Sequence, residues 1–167
     1  MFRKTEIFGQ TLNPFPSKRQ KSLLNANVVF TMKKKVFVSG PIQGMETEQF
    51  YRDVIHEICV RCGFEVVDPW EREKIIYRSV EPGWWTRVPA ANFIRRDLED
   101  IERCDVLVAF FPRLSAGTCM ELFYAKLKGK KTICICQIEN PSPWIIAHSD
   151  VILKKVEELE EELKRKF

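Results

Sequence analysis

The chain has 167 residues, enough for one domain with a sizeable core. Hydrophobic residues make up 45% and charged residues 30%, which is too apolar for a disordered chain. No apolar run approaches the roughly 20 residues that cross a bilayer, so a membrane protein is not expected. The net charge of +4 resides in residues 1–31, where Arg3, Lys4, Lys18, Arg19 and Lys21 face Glu6 alone. The remainder is neutral, which argues against a nucleic-acid groove on the fold itself.

Residues 1–31 are polar, carry Pro14 and Pro16 and show no strand or helix period. They read as a disordered or non-native leader, or as a mitochondrial-type leader, since the segment is basic and nearly free of acids. A folded domain is expected over 32–167. Val36–Ser39 predicts a first strand ending in Gly40-Pro41. Phe50, Val54, Ile55, Ile58, Cys59 and Cys62 then recur at helical spacing and predict one buried face, stopped by Gly63. Phe64–Val67 predicts a second strand, ended by Asp68-Pro69. Residues 70–89, with Trp70, Trp84 and Trp85, read as a long irregular loop.

A second helix is expected over about 90–103, followed by the nearly unbroken apolar run Asp105–Phe111. Such a run suits a central strand covered on both faces. A third helix leads from Leu114–Thr118 to Gly129. Thr132–Cys136 and Asp150–Leu153 predict two further strands, and Val156, Leu159 and Leu163 the inner face of a last helix. This alternation predicts an α/β fold, a doubly wound parallel sheet of about five strands with helices on both faces. Ligands of such sheets bind outside the carboxyl ends of the strands, here Ser39–Met45, Asp68–Glu71, Pro112–Thr118 and Gln137–Trp144.

Six cysteines, at 59, 62, 104, 119, 134 and 136, sit in apolar segments, where a free thiol behaves as a small hydrophobe. They read as reduced thiols in a cytoplasmic protein. Cys59 and Cys62 form a CxxC, yet a zinc site needs a second pair or nearby histidines, so no metal is expected.

The stretch Leu114-Ser-Ala-Gly-Thr-Cys-Met-Glu121 carries the densest chemistry. Gly117 lets a ligand approach the backbone, and the helix start favours an anion. Glu121, placed in the first turn, is either a capping-box glutamate paired with Thr118 or an ionised carboxylate serving glycosyl transfer. Ser115 is either a turn stabiliser or a ligand contact. Asp97 falls inside the apolar stripe of Phe93, Ile94, Leu98 and Ile101, so it has a partner or a task, with an internal cap or ion pair as the structural option. The loop tryptophans either stack on a base or pin the loop to the body.

Three segments resemble the nucleoside 2-deoxyribosyltransferase superfamily, which includes 2′-deoxynucleoside 5′-phosphate N-hydrolases. They are Val36-Phe-Val-Ser-Gly-Pro-Ile42, the run Arg96-Asp-Leu-Glu-Asp-Ile-Glu-Arg-Cys-Asp-Val-Leu-Val-Ala109, and Ser115-Ala-Gly-Thr-Cys-Met-Glu-Leu-Phe-Tyr-Ala125. The resemblance implies a flavodoxin-like fold, a small nucleoside or nucleotide substrate, displacement at the anomeric carbon and a homo-oligomer, with neither metal nor organic cofactor. Glu121 matches the family's nucleophile, and Asp97 the carboxylate that contacts the base and assists its departure. Six residues before the nucleophile the transferases have an acid that holds the sugar 5′-hydroxyl, whereas the hydrolases have Ser contacting a 5′-phosphate. Ser115 therefore implies a nucleoside 5′-monophosphate and water as acceptor, with base exchange and non-catalytic nucleotide binding as the alternatives. The loop Gly40, Pro41, Ile42, Gln43 and Gly44 would hold the phosphate, Trp70 would face the base, and Ser142 would be lent by a neighbouring subunit. The sequence departs from the pattern twice: Phe37 stands where a Tyr usually reaches the nucleophile, and Gln43 stands where the hydrolases carry Arg.

Overall fold

The structure, a computed structural model, describes residues 33–78 and 89–166, apart from the side chains of 73 and 75–78. Residues 1–31, Trp84 and Trp85 lie outside the described residues, and with them the expectations for the leader and for those two rings.

In chain order the elements are β1 (Lys35–Ser39), α1 (Phe50–Arg61), β2 (Glu65–Val67), α2 (Pro69–Arg78), α3 (Ala90–Arg103) and β3 (Val106–Phe111). There follow α4 (Ala116–Leu127), β4 (Lys131–Cys136), α5 (Pro143–His148), β5 (Val151–Leu153), a short 3₁₀ turn (Val156–Glu158) and α6 (Leu159–Lys166). The five strands form one sheet in the order β2-β1-β3-β4-β5, with every pairing parallel. This is the flavodoxin-like doubly wound arrangement.

β3 lies at the centre and is buried along its whole length. Its alternate residues feed two cores, as the period of two in a strand requires. Val106, Val108 and Phe110 join Ile55 and Cys59 of α1 and Leu159 and Leu163 of α6. Leu107, Ala109 and Phe111 join Ile101 of α3, Leu122 and Ala125 of α4 and Ile145 of α5. Parallel strands covered on both faces read as apolar runs for this reason. Four cysteines (59, 104, 134 and 136) are buried in these cores, and burial pushes the thiols of Cys59, Cys104 and Cys134 up to about 12.

Four expectations are corrected. Residues 70–89 do not form one loop, because α2 occupies Pro69–Arg78. Proline is favoured at a first helical position, where its missing N–H costs nothing, so Pro69 opens this helix just after β2 has ended at Val67. A further helix, α5, follows Ser142-Pro143 by the same logic. The inner face of α1 is rotated from the predicted stripe: Phe50 is 73% and Val54 43% exposed, whereas Tyr51 and Arg52 are buried. In α3, Ile94 is likewise exposed while Asp97 is buried. Gly63, with φ of +86°, ends α1 in the left-handed conformation expected of a residue just past a helix. Among the described residues no helix is long and apolar enough to cross a membrane.

Candidate active site

The strand order reverses between β1 and β3, so the loops after these two strands diverge to opposite faces of the sheet and leave a crevice between them. The cavity there has a volume of about 570 Å³, within the usual range for small-molecule sites. Its lining combines the β1–α1 loop (Gly40, Pro41, Ile42, Gln43, Gly44), Phe93 and Asp97 of α3, and the segment from Arg113 to Thr118 with Glu121. The two carboxylates singled out in the sequence, 24 positions apart, are thus brought to one cavity.

Glu121 is not in a capping box. Ser115 is the N-cap of α4, accepting from the Thr118 amide at 3.4 Å, which leaves Glu121 in the second turn. The helix-terminus field fades after the first turn, so it is not what holds this carboxylate. The hydroxyl of Ser39, at the end of β1, donates directly to Glu121 Oε2. Ser39 is 1% exposed and follows Phe37 by two positions, hence points to the same face of the sheet as the Phe37 ring, itself fully buried beside α3 and α4. Phe37 offers no donor, and the Ser39 hydroxyl meets the carboxylate instead. Sequence reasoning missed Ser39; a polar residue closing an otherwise apolar buried strand was the available signal.

Asp97, 8% exposed, faces the same crevice and is bound by Arg72 of α2 at 3.2 Å, with Arg72 also reaching Asp100. The ion-pair option for Asp97 is therefore realised, and it does not remove the carboxylate from the cavity. Arg72 was hidden from the sequence reading by the missed helix.

Ser115 also receives a hydrogen bond from Thr118 Oγ1 at 3.0 Å. A hydroxyl that accepts from both an amide and a neighbouring hydroxyl has its own proton left to donate, and Ser115 lines the crevice. A Cβ added at Gly117 would meet nothing within 4 Å, so a ligand has room to approach the helix backbone there.

The β1–α1 loop is braced from behind. Gln49 Nε2 donates to the carbonyls of Pro41 (2.9 Å) and Met45 (2.7 Å), and Arg52 donates to those of Val38 (3.2 Å) and Gly40 (2.9 Å). In a trans peptide C=O and N–H point opposite ways, so holding the Pro41 carbonyl inward turns the Ile42 N–H toward the crevice side. A Cβ at Gly40 would lie 2.3 Å from the Tyr51 hydroxyl, so any other residue there requires the buried Tyr51 ring to shift.

Two expected site residues do not line this crevice, one of them, Ser142, being expected to serve a neighbouring subunit's site. Trp70 is 9% exposed at the start of α2, with its amide on Asp68 Oδ1 at 2.9 Å, and does not line the crevice; it pins the chain to the body. Ser142 caps α5, accepting from the Trp144 amide at 3.3 Å, and lies outside this chain's crevice. Arg113, by contrast, lines the cavity and was not foreseen.

The crevice of this doubly wound sheet thus holds two carboxylates at its switch point, one bonded by a strand-end hydroxyl and one by an arginine. The chain belongs to the nucleoside 2-deoxyribosyltransferase family, whose profile matches residues 36–159, and it is an enzyme of the class that cleaves or exchanges N-glycosidic bonds. Among solved structures it is similar to the 2-deoxyribosyltransferase of Bacillus psychrosaccharolyticus, with 19% identity over 75% of this chain and 90% of that one and a TM-score of 0.58. The CMP N-glycosidase BcmB of Clostridium botulinum is 23% identical over 79% of this chain and 99% of that one, with a TM-score of 0.49. Among curated proteins none matches the chain.

Ser39→Ala is expected to lower kcat about tenfold with KM near the parent value. A hydrogen bond to a charged group contributes about 1.5–3 kcal/mol, part of which orients the Glu121 carboxylate. Steady-state kinetics of base release check this, and an unchanged kcat would remove Ser39 from the site.

Proposed function

We propose that the chain hydrolyses the N-glycosidic bond of a (2′-deoxy)nucleoside 5′-monophosphate. The observation that carries this reading is the convergence of Glu121, held by Ser39, and Asp97, held by Arg72, on one switch-point crevice. The Glu121 carboxylate, positioned by the Ser39 hydroxyl, attacks the anomeric carbon. The C–N bond breaks, its electron pair goes to the base, and Asp97 faces the departing base and relays a proton to it. Water then attacks the same carbon of the glycosyl ester and gives its proton to Asp97, replacing the one passed to the base, while the carbon–Glu121 bond breaks and the sugar 5-phosphate leaves with both carboxyl groups restored. Ser115, with its proton free to donate, supports a phosphate rather than a bare hydroxyl at the other end of the sugar.

Base exchange is the second reading, favoured by the transferase to which the fold is similar. In that case a second base replaces water at the glycosyl ester. Association with another copy of the chain is supported by the exposed Met120, Trp144 and Ile146 on α4 and α5, next to the Ser142 cap that a neighbouring subunit would present.

The test is incubation with a panel of ribo- and deoxynucleosides and their 5′-monophosphates, following free base by chromatography with and without an added second base. Release of base from monophosphates alone supports the hydrolase. A new nucleoside formed only when a base is added supports exchange. Binding without base release from any substrate overturns both.

A further inference from the structure

The position where the hydrolases carry a cation holds Gln43, and the first loop otherwise offers only backbone. On the opposite wall of the crevice, Arg113 leaves the end of β3 and its Nη2 donates to the Gln43 carbonyl at 2.8 Å. The contact is close-fitting: a Cβ at Gly44, whose φ is +72°, would lie 2.9 Å from the same nitrogen. Gly44 therefore serves two purposes, adopting the left-handed turn and making room for the guanidinium. Arg113 is the one cationic side chain among the residues lining the cavity, and among the described residues it has no acidic partner. One bond to a carbonyl uses one of five guanidinium donors.

The cavity is lined by both signs of charge. Glu121 and Asp97 are the acids of its lining, and Arg113, held against Gln43 and Gly44, is its cation. Ser115 caps the helix that carries Glu121 six residues later. At about 1.5 Å of rise per residue the two are separated by roughly 9 Å, enough for a sugar with an anion on its far carbon. A guanidinium without an acidic partner among the described residues, in one cavity with the Ser115 hydroxyl and the start of α4, suits a doubly charged, multi-oxygen acceptor.

We infer that Arg113 is the phosphate-binding cation of this site, delivered from the β3–α4 loop in place of the side chain at position 43, and that it sets the preference for 5′-phosphorylated substrates. The inference rests on the reading of the crevice as a nucleotide site. The Gln43 carbonyl holds the guanidinium over the loop, and the remaining N–H groups meet the phosphate together with Ser115.

The experiment measures, on the full chain, kcat/KM for a nucleoside 5′-monophosphate and for the matching nucleoside, alongside binding of the monophosphate and of inorganic phosphate by calorimetry. In Arg113→Ala the ratio of the two kcat/KM values is expected to fall about 30-fold, through KM of the phosphorylated substrate, with Kd for inorganic phosphate rising in parallel. Arg113→Lys keeps part of the preference, and Gln43→Arg added to Arg113→Ala restores most of it. A ratio unchanged in Arg113→Ala, or a KM raised equally for both substrates, shows that Arg113 only braces the loop and overturns the inference. If the parent enzyme cleaves no nucleotide, the hydrolase reading fails by itself. The calorimetry then decides alone: loss of monophosphate and phosphate binding in Arg113→Ala sustains the phosphate site, and unaltered binding overturns it.

Discussion

Glu121→Gln is expected to abolish base release, lowering kcat by at least about a thousandfold, while the protein folds and binds substrate as before. The substitution conserves size, and the amide carbonyl can still accept from Ser39, so the side chain stays where the carboxylate was. What is lost is the anionic oxygen that forms the glycosyl ester in the mechanism proposed above, because an uncharged amide is a poor nucleophile. Glu121 is partly exposed in the crevice and outside both hydrophobic cores, so no large stability change accompanies its loss. Glu121→Asp is expected to be less damaging, at about a hundredfold, since shortening the side chain withdraws the carboxylate by about one bond length and a misplacement on the order of 1 Å costs about that much. Single-turnover assays with melting curves and calorimetry on the same samples check each part. Retained turnover in Glu121→Gln would overturn covalent catalysis by this residue.

Arg52→Met is expected to cost about 3–5 kcal/mol of stability, a large share of the roughly 5–15 kcal/mol of a typical domain. The Arg52 and Asp68 side chains are 3% and 8% exposed and meet at 2.6 Å. Burial pushes the Asp68 carboxyl above its ordinary value, against the opposing pull of the Arg52 guanidinium and the Trp70 amide. Ionising this pair is therefore no large gain in itself, but removing one partner strands a buried charge together with the carbonyls of Val38 and Gly40. The site suffers with the fold, because those carbonyls belong to the segment that carries Ser39 and the first loop. Thermal unfolding is expected to show a fall in Tm on the order of 10 °C. Adding Asp68→Leu to Arg52→Met is expected to recover much of the loss by removing the stranded carboxylate. A Tm within about two degrees of the parent in Arg52→Met would show that water reaches Asp68 and that the pair is dispensable.

Much of the architecture was legible in local pattern. The apolar run at 106–111 read as a central strand and is one, at the middle of the sheet. Gly63 stopped α1, and α3 occupies 90–103 as its spacing required. Where local reading failed, the competing signals were also local. Residues after Pro69 read as loop although Pro69 follows a residue able to begin a helix, and Glu121 reads as one turn too early because Thr118 resembles a cap as well as Ser115 does. The exposed Phe50 and Val54 show that helical period finds a stripe without fixing its rotation, for Arg52 turns inward to serve a loop that the pattern does not contain.

By itself the sequence determined the strand-helix alternation, the central strand and both carboxylates of the crevice, because apolar period and residue chemistry are properties of neighbouring positions. The tertiary structure alone decided which groups those carboxylates and the first loop meet. Ser39 reaches Glu121 across 82 positions, and Arg113 reaches the Gln43 carbonyl across 70. Both contacts exist because β1 and β3 lie side by side, so that the loops at their carboxyl ends face each other across one crevice. Strand order depends on the packing of the whole sheet, and no window of neighbouring residues contains it.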